Sequence, residues 1–257
     1  MSTSPPPSKG FFAPDSMMKI GAHLHRFPFF WNAAALGLRS VSQPRRAKQI
    51  EKYLESNELR KLRFGAGRHS DKGWLSADLV PLSTKIVFMD GRKPLPLPSD
   101  SFDFVVCEHM IEHVDVLTGR RLLGEFRRIL RVGGVLRIAT PDFGRLIGFV
   151  SLPEPLEGDA SYYVSTMNEG FSDIPENDRG NPIYMINRIV RDWGHRFLYN
   201  EVTLRRVLMD AGFGGVVRQS PGESEHLELV SIDRHQEETG ERMNMIETLV
   251  LEAVATE

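Results

Sequence analysis

The run Lys61–Leu79, KLRFGAGRHSDKGWLSADL, constrains the chain more than any other stretch. A short strand-like segment, Leu62-Arg63-Phe64, breaks at Gly65-Ala66-Gly67, and a second, Trp74-Leu75-Ser76-Ala77, ends on a lone carboxylate, Asp78. Glycines without Cβ let backbone N–H groups approach a ligand closely, and a carboxylate ending the next strand can accept two hydrogen bonds from ribose hydroxyls. This is the order of a nucleotide-binding half. The dinucleotide fingerprint is incomplete, because Ser70 stands where its third glycine would be. Asp78 follows Gly65 by thirteen positions, whereas a dinucleotide fold places its acidic residue about 20 further on. Any helix between the two strands must therefore be very short. A tight turn between two core strands is the plain alternative for this stretch alone.

At 257 residues the chain suffices for one large α/β domain. A hydrophobic content of 41% and a charged content of 26% are those of a globular protein. The net charge of −2 hides an asymmetry: residues 1–60 carry nine Lys/Arg against four Asp/Glu, which leaves −7 for the remainder. Nucleic acid is therefore not expected as a partner of the main body. The single cysteine, Cys107, excludes an intramolecular disulfide and fits a reducing compartment, so a cytoplasmic location is expected. The longest apolar stretch, Phe27 to Leu38, spans twelve positions and contains Pro28 and Asn32, well short of the about 20 residues of a membrane span. Its 26-residue polar lead is too long for a signal peptide.

Residues 1–15 read as a loose lead, given their Pro/Ser density. His23 to Leu38 is too apolar to stay exposed and is expected to pack over the main domain, with a lid, a dimer face or a membrane-surface contact by 27–38 as alternatives. Gln43 to Leu59 reads as a helix with Ile50, Tyr53 and Leu54 on one face. Residues 1–59 thus form an extension, and 60–257 the main domain. After Asp78, Lys85–Met89 gives a third strand ending at Asp90, and Phe102–Cys107 a fourth, of the buried parallel kind. Thr118 opens a helix whose Leu122, Leu123, Phe126, Ile129 and Leu130 share a face and which stops at Gly133-Gly134. Val135–Thr140 makes a fifth strand closed by Pro141. Residues 151–193 are turn-rich and aromatic-studded, too long for an ordinary connection, and read as an insertion or lid. Asn200 caps a helix, Glu201–Ala211, and Gly215–Arg218 and Thr248–Ala253 make a last, hairpin-like pair of strands. Strands alternating with helices argue for a doubly wound, mostly parallel α/β sheet.

Four pieces of the chain together resemble the class I S-adenosylmethionine-dependent methyltransferases: Phe64–Gly67 with Asp78, Asp90–Asp103, Glu108–His113, and Glu125–Asp142. Gly-Trp-Leu-Ser-Ala-Asp at 73–78 and Gly194–Asn200 are similar to a bacterial subgroup with a compressed first helix, often encoded near surface-polysaccharide genes. Val132, where a proline is usual before Gly133-Gly134, and Phe64-Gly65-Ala66, for the more frequent leucine-glycine-cysteine or -serine, depart from that pattern. The resemblance covers roughly residues 60–255 and implies a seven-stranded Rossmann-like sheet with its last strand antiparallel. It further implies S-adenosyl-L-methionine as cofactor and a small acceptor such as a saccharide or other hydroxylated metabolite. Phe64, Gly65, Ala66 and Gly67 would lie along the cofactor's methionine end, Asp78 with Leu79 at the ribose, Asp90 with Gly91 at the adenine, and Glu108 with His109 beside the transferred methyl group.

An acceptor hydroxyl must lose a proton, and histidine suits that at neutral pH. His109, His113 and His195 are the candidates, the first two ahead because strand ends are rigid. His113 also reads as a structural histidine at a helix start, and His195 with Tyr199 as packing residues. His109–His113 spells H-x-x-E-H, a zinc-protease signature. A zinc site needs those histidines on one helix face and a third ligand, whereas here the motif follows a buried strand and a glycine-rich nucleotide half, so no metal is expected. Asp142 is either a substrate-side carboxylate or a helix cap, and burial would make the Cys107 thiol inert. A cofactor-binding protein without activity, or a nicotinamide oxidoreductase on a similar fold, are the functional alternatives.

Overall fold

The computed structural model describes residues 44–257; the expectations for 1–15 and for His23–Leu38 lie outside them. Seven strands form one sheet in the order β3-β2-β1-β4-β5-β7-β6. They are β1 (Lys61–Phe64), β2 (Trp74–Asp78), β3 (Ile86–Phe88), β4 (Phe102–Glu108), β5 (Leu130–Pro141), β6 (Phe213–Gln219) and β7 (Thr248–Ala255). The first five run parallel, and β7 lies antiparallel between β5 and β6. The seven-stranded, mostly parallel α/β sheet expected from the resemblance is present. Among the described residues no helix is long and apolar enough to cross a membrane.

One face of the sheet is apolar. Leu62, Phe64, Leu75, Val105, Leu136, Ile138 and Leu251 form one core with Ile50 of α1 (44–56), Leu122, Leu123, Phe126 and Ile129 of α2 (Val116–Ile129), and Leu204, Val207 and Leu208 of α6 (Glu201–Asp210). In α1 the Tyr53 ring stacks on Phe102, and its hydroxyl accepts the Lys61 N–H at 2.7 Å. The helix is thereby fixed to the start of β1. Two expected boundaries shift. Asp115, not Thr118, begins the α2 turn, because its carboxylate accepts the Leu117 and Thr118 N–H groups. The helix ends at Ile129, and Leu130 already belongs to β5. Gly133-Gly134 therefore lies inside a strand rather than capping a helix. The β4–β5 pairing shifts register at Phe102/Phe104, and a Cβ on Gly134 would meet the Arg131 and Asp103 carbonyls at 3.0 and 3.1 Å.

The segment expected as a lid is mostly helical. After α3 (Phe143–Gly148) come α4 (Gly158–Glu169) and α5 (Pro182–Arg191). Tyr163, Val164, Met167, Met185 and Ile189 build a separate core there with Met243 and Ile246 of α8 (Glu241–Glu247). β6 and β7 are neighbours but not a hairpin. Between them residues 220–247 make a long excursion with a 3-10 turn at Leu227–Leu229 and a short α7 (Gln236–Thr239) before α8.

That excursion packs on the second sheet face, where Leu229 and Ile232 meet Trp74, Val106 and Val135. Between β1 and β2 there is no helix at all, only a turn. Residues 229–235 lie against this face, over residues of β1, β2, β4 and β5. They are held by charge: Arg137, wholly buried, pairs with Asp233 and with Glu252, and Arg63 donates to the Ile232 carbonyl at 2.6 Å.

Candidate active site

Chain reversal after β1 requires glycine. Gly65 and Gly67 have φ of +75° and +54°, a region L side chains rarely adopt. The Gly65 and Ala66 N–H groups donate to the Ala77 carbonyl at 2.9 and 3.0 Å, so the turn folds over the end of β2. Asp78 closes it, accepting the Gly67 N–H on one oxygen and the Val80 N–H on the other, both at 2.8 Å. Burial raises the Asp78 pKa, and the Val80, Gly67 and Leu79 N–H groups offset this only in part. The glycine turn and Asp78 are thus brought together.

The other residues expected at the cofactor divide. Phe64 is a core side chain, edge-on to Phe126 at 5.3 Å. Gly91 packs under its ring, where a Cβ would come within 3.1 Å. Ala66 is buried and Leu79 half-buried at the turn. Asp90 is held on both oxygens by Arg92, at 2.8 and 2.9 Å; burial notwithstanding, Arg92 lowers its pKa. Glu108 ends β4 as expected, but its carboxylate accepts the Arg234 N–H at 2.7 Å and the His235 N–H at 2.8 Å, with Arg63 at 3.3 Å. It holds the β6–β7 excursion against the strand ends. Asp71 adds to this by pairing with both Arg63 and Arg234.

The three candidate histidines form two groups around Glu112. His109, at φ +43°, turns out of β4 and stacks on His235 with 3.6 Å between ring centroids. Its Nε2 lies 3.2 Å from Thr248 Oγ1 and its Nδ1 3.3 Å from Glu112 Oε1. Burial disfavours the charged ring, but Glu112 outweighs it and raises the His109 pKa. Burial likewise disfavours the Glu112 carboxylate, and His109 and His113 nonetheless hold its pKa down. On the other side, the His113 and His195 rings are 5.1 Å apart. The Arg196 and Phe197 N–H groups donate to the Glu112 carbonyl at 2.7 and 3.2 Å, which ties the segment after α5 to the 3-10 turn Ile111–His113. Tyr199 is buried in the main core.

Beside His109 stands a polar chain that the sequence did not announce. His235 Nε2 is 2.6 Å from Glu247 Oε1, and the Tyr163 hydroxyl donates to Glu247 Oε2 at 2.6 Å. Burial opposes the Glu247 charge, but His235 lowers its pKa, whereas burial and Glu247 push the Tyr163 hydroxyl well up. The available signal was the run of His and Glu between β6 and β7, which reads equally as a solvated loop. Asp142 caps α3 through the Arg145 N–H and pairs with Arg218. Cys107 is buried, and burial with the nearby Glu112 and Glu108 pushes its thiol pKa up.

A family model described as a methyltransferase domain matches residues 70–138, from just after the glycine turn into β5. No curated protein matches. The chain is similar to a solved SAM-dependent methyltransferase from Archaeoglobus fulgidus, at 19% identity over 84% of this chain and 93% of that one, with a TM-score of 0.46. A SAM-dependent methyltransferase from Thermotoga maritima gives 17% identity over 90% and 99%, with a TM-score of 0.45. A Haemonchus contortus phosphoethanolamine N-methyltransferase in complex with S-adenosylhomocysteine gives 12% over 82% and 53%, with a TM-score of 0.44.

Proposed function

We propose that the protein is an S-adenosylmethionine-dependent methyltransferase acting on a small hydroxylated acceptor, with saccharides the first class to try. The observation that carries this reading is the Gly65–Gly67 turn locked to Asp78 at the carboxyl ends of β1 and β2, where open α/β sheets bind ligands. Each Asp78 oxygen accepts a backbone N–H, which leaves a further lone pair on each for adjacent ribose hydroxyls. A Cβ at Gly67 would meet nothing within 4 Å, so the turn leaves open space beside its backbone. These features fit the cofactor, which when bound supplies an electrophilic methyl group on a sulfonium.

The chain's own contribution is position and dryness. The backbone of Gly65 and Gly67 would lie along the methionine end, and Asp78 would hold the ribose. Asp90 keeps lone pairs beyond those Arg92 takes, so it can serve the adenine amino group. Met110 lies against Gly65, which puts the β4 end next to the glycine turn. His109 adjoins it, and with Nε2 facing Thr248 and Nδ1 facing Glu112 we assign it to positioning at the acceptor side rather than to taking the hydroxyl proton. The helical insert forms the acceptor-side wall, Tyr163 reaching the site through its bond to Glu247 of α8. Excluding water from an in-line encounter supplies much of the acceleration. The missing third glycine argues against a dinucleotide, and the single cysteine suits a cytoplasmic setting.

Calorimetry with S-adenosylmethionine, S-adenosylhomocysteine and NADH tests the reading. Both sulfur compounds are expected to bind and NADH not. Asp78→Ala should weaken binding by about 1.5–3 kcal/mol, roughly ten- to a hundredfold. NADH binding without the sulfur compounds, or an unaffected folded Asp78→Ala variant, would overturn it.

A further inference from the structure

We propose that Glu112, His113 and His195 form a binding site for one divalent transition-metal ion, of the kind zinc represents, joining the helical insert to the end of β4. One donor atom from each of the three residues lies within 4.8 Å of the others. Two imidazoles and a carboxylate are the donor set such ions favour, whereas magnesium prefers oxygen alone. A metal at bonds of about 2.0–2.1 Å brings its donors to about 3.4 Å from one another in a tetrahedral site. A short inward movement of the two histidines, neither of which is buried, closes that difference.

Two features beyond proximity point to a ligand. Glu112 is fully buried, and its Oε1, although at ion-pair distance from His109, makes no aligned hydrogen bond. Its Oε2 accepts from Thr140 Oγ1 at 3.1 Å, so Oε1 retains a lone pair and the carboxylate is oriented. His195 Nδ1 lies 2.5 Å from the Ile189 carbonyl, which can only accept, so Nδ1 carries the proton and Nε2 is left with its lone pair. Metal-ligating histidines are usually fixed in this way by a carbonyl behind the ring. The Arg196 and Phe197 bonds to the Glu112 carbonyl hold the two ligand-bearing segments at a fixed distance before any ion arrives.

The H-x-x-E-H run thus works differently from a protease helix. His109 stacks on His235 and meets Thr248, touching Glu112 Oε1 through Nδ1 at 3.3 Å, and the third ligand comes from residue 195. An ion here would fasten the acceptor-side wall to the strand end and would present its remaining coordination positions to water or an acceptor oxygen. The site does not depend on the methyltransferase reading.

The test uses the full chain stripped with a chelator and titrated with Zn²⁺, Co²⁺ and Mg²⁺. Zn²⁺ and Co²⁺ are expected to bind at one equivalent and raise Tm, Co²⁺ with visible bands of nitrogen–oxygen ligation, and Mg²⁺ to do neither. His195→Ala and His113→Ala should each weaken Zn²⁺ binding at least about a hundredfold, since removing only an outer partner already costs 10–100-fold. Glu112→Gln is the third variant, and His69→Ala should bind like the wild type. Far-ultraviolet circular dichroism identifies folded variants, with His195→Gln as the milder substitute if His195→Ala fails to fold. No Zn²⁺ binding by the wild type, or unchanged affinity in folded variants of both His113 and His195, would overturn the proposal.

Discussion

Across the sheet, Leu75, Leu62, Val105, Leu136 and Ala253 stand side by side in register, and one residue further on the row is Ser76, Arg63, Val106, Arg137 and Glu252. The first row meets helices α1, α2 and α6 through apolar contact. The second meets residues 220–235 through ion pairs and hydrogen bonds to carbonyls, with Val106 adding apolar contact to Leu229 and Ile232. Apolar contact has no direction and accepts near-equal shapes, whereas a buried charge accepts only its partner. The first face therefore holds helices by area, and the second holds one particular segment by address.

The largest expected effect lies on the charged face. Arg137→Ala leaves Asp233 and Glu252 buried without a cation, and should cost about 3–5 kcal/mol in urea unfolding. Replacing all three by Met, Leu and Met should cost less than the single change, because no uncompensated charge remains. A triple variant as unstable as Arg137→Ala would show that shape rather than charge seats the excursion. On the apolar face Ile138→Val should cost only about 0.5–1.5 kcal/mol. A larger loss there would erase the contrast. The smallest effect belongs to Arg120 and Asp210, both well exposed; Arg120→Ala should cost less than about 1 kcal/mol, falling further in salt.

The same contrast explains what could be read from the sequence. The apolar rows announced the strands, the glycine turn announced the end of β1, and Asn200 capped α6 as expected, accepting the Thr203 N–H at 2.8 Å. The start of β5 was hidden because Arg131-Val132-Gly133-Gly134 has the composition of a helix terminator, while its geometry depends on a register shift in β4. Residues 220–247 were opaque for a deeper reason. Glu223, Asp233, Arg234 and His235 look like a solvated loop until Arg63, Arg137 and Glu108 are known to face them. The signal was an arginine in the middle of two strands otherwise of the buried kind, since such a cation requires a buried partner from elsewhere. Glu112 was visible in H-x-x-E-H, but its nearness to His195 depends on a contact across 83 residues that no local pattern encodes.

The long reach of the excursion also sets the order in which a newly made chain can finish itself. Arg63 finds the Ile232 carbonyl 169 residues later, which at synthesis rates of about 5–20 residues/s is a wait of roughly ten to thirty seconds. During that interval the apolar face can already be covered by α2, which follows β4 directly. What stays open is the face bearing Arg63 and Arg137, together with Trp74, Val106 and Val135. The segment that completes the strand ends near His109 thus arrives only after β1 to β5, and just before β7 brings Glu252 to Arg137.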